Sequence, residues 1–128
     1  MILVRDIEDG IRKWRDGLGL RLSHRVDLEE AGICQAFFAL EDGTFIELVA
    51  PGRAGSPLGA VVDARGEGIH VLALRVDDLE ASAAEFAARG VKLTGVGSPQ
   101  VFVHPRSANG VMIQLWPKDR PHRWREGQ

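Results

Sequence analysis

The chain has 128 residues, 45% of them hydrophobic and 27% charged, enough to bury one core and in keeping with a single soluble domain rather than a disordered segment. A formal net charge of -2 and a pI near 6.1 give no general attraction for nucleic acid or anionic membrane, and no apolar run approaches the roughly 20 residues of a membrane span, so neither partner is expected. The lone Cys34 has no intramolecular disulfide partner, and MILVRDIEDG lacks the basic start and long apolar stretch of a secretory signal, so a reducing cytoplasm is the expected compartment.

In chain order, a short apolar strand at the start reaches Asp6, a residue suited to cap a helix. Ile7, Ile11, Trp14 and Leu18 then recur at helical spacing, and Gly17 and Gly19 supply the stop. LRLSHRV (20–26) reads as a strand, and AFFALEDGTFIELVAP (36–51) as a hairpin turning at Glu41-Asp42-Gly43. Residues 52–67 read as a linker with one short helix, begun by Ser56 and Pro57, striped by Leu58, Val61 and Val62, and ended by Gly66. The next strand, GIHVLALRVDD (68–78), leads into VDDLEASAAEF, which repeats VRDIEDGIRKW without a gap at an offset of 72 residues. Asp6 matches Asp78, Ile7 matches Leu79, Glu8 matches Glu80 and Trp14 matches Phe86. After Gly90 come a strand, VKLTGV, and a second hairpin, VFVHPRSANGVMIQLWP, turning around Ser107 to Gly110. Both halves read strand, helix, three strands, which is an α+β arrangement. Residues 118–128 are basic and aperiodic and read as a surface tail; Lys118, Arg120, Arg123 and Arg125 with Trp124 form a candidate anion site there, with a solvated tail the expected reading.

The duplicated module, together with GEGIHVLALRVDD, FIELVAP and HPRSANGVMIQL, resembles the vicinal oxygen chelate (glyoxalase/bleomycin resistance/dioxygenase) superfamily, and within it the methylmalonyl-CoA epimerase branch, over about Met1 to Pro117. The resemblance implies one domain, 1–117, whose two βαβββ modules (about 1–51 and 68–117) form a cup-shaped mixed sheet with helices on the outer face. It also implies a homodimer. Active members of the family hold a divalent metal in the cup with one residue from each of four strands, and the epimerases deprotonate a metal-bound thioester at its α-carbon and reprotonate it on the other face.

Carried over position by position, the family pattern puts a histidine seven residues before each helix-capping aspartate. Counted from Asp6 this falls before Met1, and counted from Asp78 it falls on Val71. The remaining ligand positions fall on Glu47 and on Gln114, where epimerases typically have glutamate; Gln114 is a neutral, weaker donor. The two base positions fall on Gln35 and Gln114, carboxamides that take up no proton near neutral pH. Strand alternation turns Val71 and Ala73 into the cup and His70, Leu72, Leu74 and Val76 toward the helices. By the same parity Phe45 accompanies Glu47, and Met112 accompanies Gln114.

The expected function is therefore binding of a small, partly apolar or acyl molecule by Phe45, Met112 and Val71, with Glu47, Gln114 and Gln35 as polar anchors and no metal or other cofactor. Glu47 is the candidate catalytic carboxylate, and its expected hydrogen-bond partner is Gln114 or water. The alternative is a divalent-metal enzyme of the epimerase, glyoxalase-type lyase or dioxygenase kind, with Zn, Co, Mn or Ni on Glu47 and Gln114. Phe38 and Trp116 are expected in the core or lining the cup, Cys34 as an inert thiol, His24 and Arg53 as ordinary surface residues, and His104-Pro105-Arg106 as a hairpin-shaping segment in which Arg106 is a candidate anion contact.

Overall fold

A computed structural model describes residues 1–122; Arg123, Trp124 and Arg125 of the expected tail lie outside the described residues. The architecture is α+β, and the chain divides into two units, with the boundary between Ile69 and His70. Each unit is built on one mixed sheet.

In the first unit the cap read from the sequence is present. Asp6 accepts a hydrogen bond from the Asp9 amide at 3.1 Å, and helix α1 (Ile7–Ile11) follows, widening into a π-helical stretch over Arg12–Gly17. Ile7 and Ile11 are buried against Ala36, Phe38, Leu48 and Ala50. The apolar stripe stops short of Leu18, which is 65% exposed, because the helix ends at Gly17 and Gly19 turns the chain away at φ 77°. The sheet has strands β1 (Ile2–Leu3), β2 (His24–Leu28), β3 (Ile33–Ala39), β4 (Phe45–Pro51) and β5 (Gly68–Ile69) in the order β2-β3-β4-β1-β5. The segment expected as strand 20–26 pairs only from His24; Leu20 and Leu22 instead pack against the α1 core.

The β3–β4 hairpin turns where Asp-Gly predicts it. Gly43 takes φ 87°, and Asp42 accepts from the Thr44 hydroxyl at 2.6 Å and the Thr44 amide at 3.0 Å. Those two bonds, the hydroxyl's first, hold the Asp42 carboxyl below its usual range.

Helix α2 (Pro57–Arg65) lies in the segment read as a linker, with proline in its first turn. Leu58, Val61 and Val62 pack on Leu3, Ile33 and Val49, so α2 covers one end of the sheet face opposite α1. Ser56 does not cap this helix through its side chain; it is buried, and its hydroxyl donates to the Gly32 carbonyl at 2.7 Å. Ser56→Ala removes this donor while the Gly52 amide still donates to the same carbonyl at 2.7 Å, and the expected loss is about 0.5–1.5 kcal/mol of unfolding free energy, read from a denaturant midpoint at unchanged slope.

The second unit repeats the plan. Strand β6 (Leu72–Val76) runs parallel to β9 (Ile113–Pro117), and β8 (Val101–Val103) and β7 (Leu93–Thr94) complete the order β6-β9-β8-β7. Asp78 accepts from the Ala81 amide at 2.8 Å and caps α3 (Leu79–Ala88), whose Ala83 packs with Val101, Val103 and Leu115. Leu72 and Leu74 share the α3 side by register with Ile113 and Leu115, yet each is nearly half exposed because β6 is the edge strand of its sheet.

Candidate functional site

On the first sheet the packing decides which side chains face away from α1. Ala36, Phe38, Leu48 and Ala50 take the α1 side, so Gln35 and Phe37 on β3, and Phe45 and Glu47 on β4, take the other. Phe38 is therefore a core residue under α1. The register sets Phe37 directly opposite Glu47 and Gln35 opposite Val49, which makes Gln35 and Glu47 diagonal neighbours. Gln35, only 5% exposed, donates from Nε2 to Glu47 Oε1 at 2.5 Å. Within its own sheet Glu47 thus has a partner in Gln35, one not among those expected from the sequence. Burial lowers the Met1 ammonium below its usual range, with the Glu47 carboxylate pulling the other way.

An aromatic row borders this pair. His24 on β2 stacks on Phe37 with ring centroids 6.1 Å apart and planes at 25°, and Phe37 meets Phe45 at 6.0 Å. His24 is thus more than a plain surface residue. Phe37 was not singled out from the sequence, although its parity with Gln35 in the run Gln35-Ala36-Phe37 is the signal that finds it.

On the second sheet Val101, Val103, Ile113, Leu115 and Val76 belong to the α3 core, so Gln114, Trp116 and Phe102 stand on the opposite face. Ala73 lies beside Gln114 and Arg75 beside Trp116 in register. Val71, 6% exposed, immediately precedes β6 and falls on the Gln114 side by alternation; Met112 precedes β9, and its carbonyl accepts from the Leu72 amide at 3.0 Å. Arg75 and Phe102 were not named from the sequence, because which residues flank Gln114 and Trp116 depends on the β6–β9 and β8–β9 registers.

Other candidates fall into structural roles. Cys34 packs on the α1 core; burial first, and Asp27 second, push its thiol above the usual range, away from the thiolate form a nucleophile needs. Arg53 Nη1 donates to the Glu29 carbonyl at 2.5 Å and its guanidinium lies over Gly32, so it braces a loop. His104 Nδ1 accepts from the Arg106 amide at 3.0 Å, the short-range bond that shapes the approach to the second turn. Among the described residues, no three His, Cys, Asp or Glu side chains are grouped so as to hold a metal ion, and no helix is long and apolar enough to cross a membrane.

Comparison with known proteins matches this arrangement. The family model for the glyoxalase/bleomycin resistance protein/dioxygenase superfamily matches residues 1–108. The mitochondrial methylmalonyl-CoA epimerase of Dictyostelium discoideum is 30% identical over 122 residues, covering 89% of this chain and 73% of that protein. Among solved structures, a hypothetical protein from Bacillus halodurans superposes with a TM-score of 0.80 at 31% identity, covering 94% of this chain and 92% of that one. Methylmalonyl-CoA epimerase from Mycobacterium tuberculosis gives a TM-score of 0.74 at 34% identity, covering 94% and 85%. With the duplicated strand-helix-three-strand plan, a family match over most of its length and these structural neighbours, the chain belongs to the glyoxalase/bleomycin resistance/dioxygenase superfamily.

Proposed function

We propose that this epimerase-like chain binds a small, partly apolar acyl molecule, of the acyl thioester class, without a metal ion. The observation that carries this reading is the Gln35–Glu47 hydrogen bond. Exchange of an α-proton between two faces of a thioester needs two groups that pick up and release protons, and at the positions where the resemblance puts those groups this chain has the carboxamides of Gln35 and Gln114. Gln35 serves instead as a donor that fixes the Glu47 carboxylate. Glu47 then acts as a polar anchor accepting from an N–H or O–H that the ligand carries outside its thioester group, beside the apolar ring of Phe45.

The donor set supports the metal-free reading. At the two ligand positions that the resemblance puts in the second unit stand a carboxamide, Gln114, and an aliphatic side chain, Val71, where a divalent ion is better served by a carboxylate and an imidazole. The second reading is a divalent-metal epimerase, glyoxalase-type lyase or dioxygenase using Zn, Co, Mn or Ni; the names of the relatives speak only to its epimerase part.

Calorimetric titration of the purified chain with short acyl thioesters in the presence of a chelator separates the two. The expected result is saturable binding that survives chelation, weakens about tenfold in Glu47→Ala, and is accompanied by no exchange of the ligand's α-proton in heavy water. Stoichiometric metal in the purified protein, or binding lost on chelation with α-proton exchange restored by metal, overturns it in favour of the second reading.

A further inference from the structure

The internal duplication brings out a difference between the two sheets. On the first sheet Leu3 and Val49 are paired in register, and the segment that follows β4 folds back as α2 to cover them with Leu58, Val61 and Val62. The repeat offset of 72 residues carries Leu3 onto Arg75, and Arg75 is paired in register with Trp116 on β9. The segment that follows β9 also folds back. Arg120 closes a turn on the Pro117 carbonyl at 3.0 Å, and its own carbonyl accepts from Trp116 Nε1 at 2.9 Å. The Arg120 guanidinium lies 5.0 Å from the centre of the Trp116 ring, and the His122 ring stacks on Trp116 at 4.6 Å with planes 21° apart. Where the first sheet is covered by an apolar helix, the matching place on the second holds two arginines and two aromatic rings.

Cations gathered in this way repel one another unless something negative joins them. Lys118 is already paired with Asp77 at 3.6 Å, and the nearby Asp119 is exposed. Among the described residues neither Arg75 nor Arg120 has a carboxylate within 4.0 Å, whereas Arg5, Arg12, Arg15, Arg25 and Arg89 each do. Stacking on Trp116 holds the Arg120 fork in place and leaves its N–H edge for a planar or tetrahedral oxyanion.

We propose that Arg75 and Arg120, arranged around Trp116 at the carboxyl ends of the parallel strands β6 and β9, form a recognition site for an anionic group, phosphate or carboxylate. This differs from the anion site read from the sequence, which grouped Arg120 with residues of the tail. The site lies on the same face as Gln114, so a ligand bound there presents its charged end to the arginines and its remaining part along the strand toward Gln114. It does not depend on the acyl reading, since the probes below carry no acyl group, and either can fail alone.

The test uses the whole chain, titrated with inorganic pyrophosphate and separately with succinate, followed by calorimetry and tryptophan emission. Saturable binding of pyrophosphate that drops about tenfold in Arg75→Gln and again in Arg120→Gln identifies a phosphate site; the same pattern with succinate identifies a carboxylate site. Arg75→Gln is the decisive variant because it leaves the Trp116–Arg120 contact in place. Arg89→Gln, which alters an exposed helix arginine paired with Glu85, leaves binding unchanged if the site is where we place it. Absence of saturable binding of either anion, or binding equal in the wild type and the Arg75→Gln, Arg120→Gln double variant, overturns the proposal.

Discussion

Val71→His combined with Gln114→Glu is expected to raise the affinity of the chain for Zn, Co or Ni by at least about tenfold per substitution, each tenfold being about 1.4 kcal/mol. Both positions belong to the second unit; Ala73 lies directly beside Gln114 in register, and alternation carried back from β6 to Val71, which immediately precedes it, puts that residue on the same face. The double variant therefore sets an imidazole and a carboxylate on neighbouring strands, where the wild type has an aliphatic side chain and a carboxamide. Val71 is 6% exposed, so placing an imidazole there without metal buries a polar ring and lowers stability. Added metal binds the folded state and restores that loss, which gives a second readout in the thermal midpoint. Calorimetric metal titration checks the first effect. If affinity stays at the wild-type level in both the single Val71→His and the double variant, residue 71 does not share a face with Gln114, and the parity on which the metal-free reading leans is wrong.

Leu48→Ala is expected to lower the unfolding free energy by about 2–5 kcal/mol. Leu48 is 0% exposed at the centre of the cluster formed by Val4, Ile7, Ile11, Ala36 and Phe38. The α1 backbone lies close above it: a Cβ built on Gly10 would stand 3.1 Å from Leu48 Cδ1. A helix already this near a strand that is paired on both sides has little room to settle into the space left by a leucine, so the cavity persists and the cost falls in the upper part of that range. Chemical denaturation at unchanged slope measures it, with Leu18→Ala as the contrast: at 65% exposure that residue should change stability by no more than about 0.5 kcal/mol. A shift for Leu48→Ala as small as that of the contrast would mean that α1 does not rest on β4 as described.

Much of this protein was legible in the one-dimensional chain because the signals are local. The Asp6 and Asp78 caps, the helical spacing of Ile7 and Ile11, the Asp-Gly and Asn-Gly turns and the offset of 72 residues each act within a few positions or repeat a pattern, and they suffice for strand, helix, three strands, twice over. Period-two alternation likewise assigns Phe45 and Glu47 to one face of β4, and separates Phe38 from Gln35 and Phe37 on β3, once one residue of each strand is anchored.

What the sequence by itself left undecided depends on register and on contacts between distant segments. Gln35 and Glu47 are twelve positions apart, and only the pairing of β3 with β4 makes them diagonal neighbours. A strand displaced by two residues would keep every face and lose that bond. The covering of Leu3 and Val49 by α2, and the placing of Arg120 and His122 on Trp116 beside Arg75, are likewise decided by how chain that leaves a sheet returns to it. Periodicity states which side of an element is apolar; which partner that side meets is set by packing in three dimensions, where shape and charge are satisfied by residues remote in the chain.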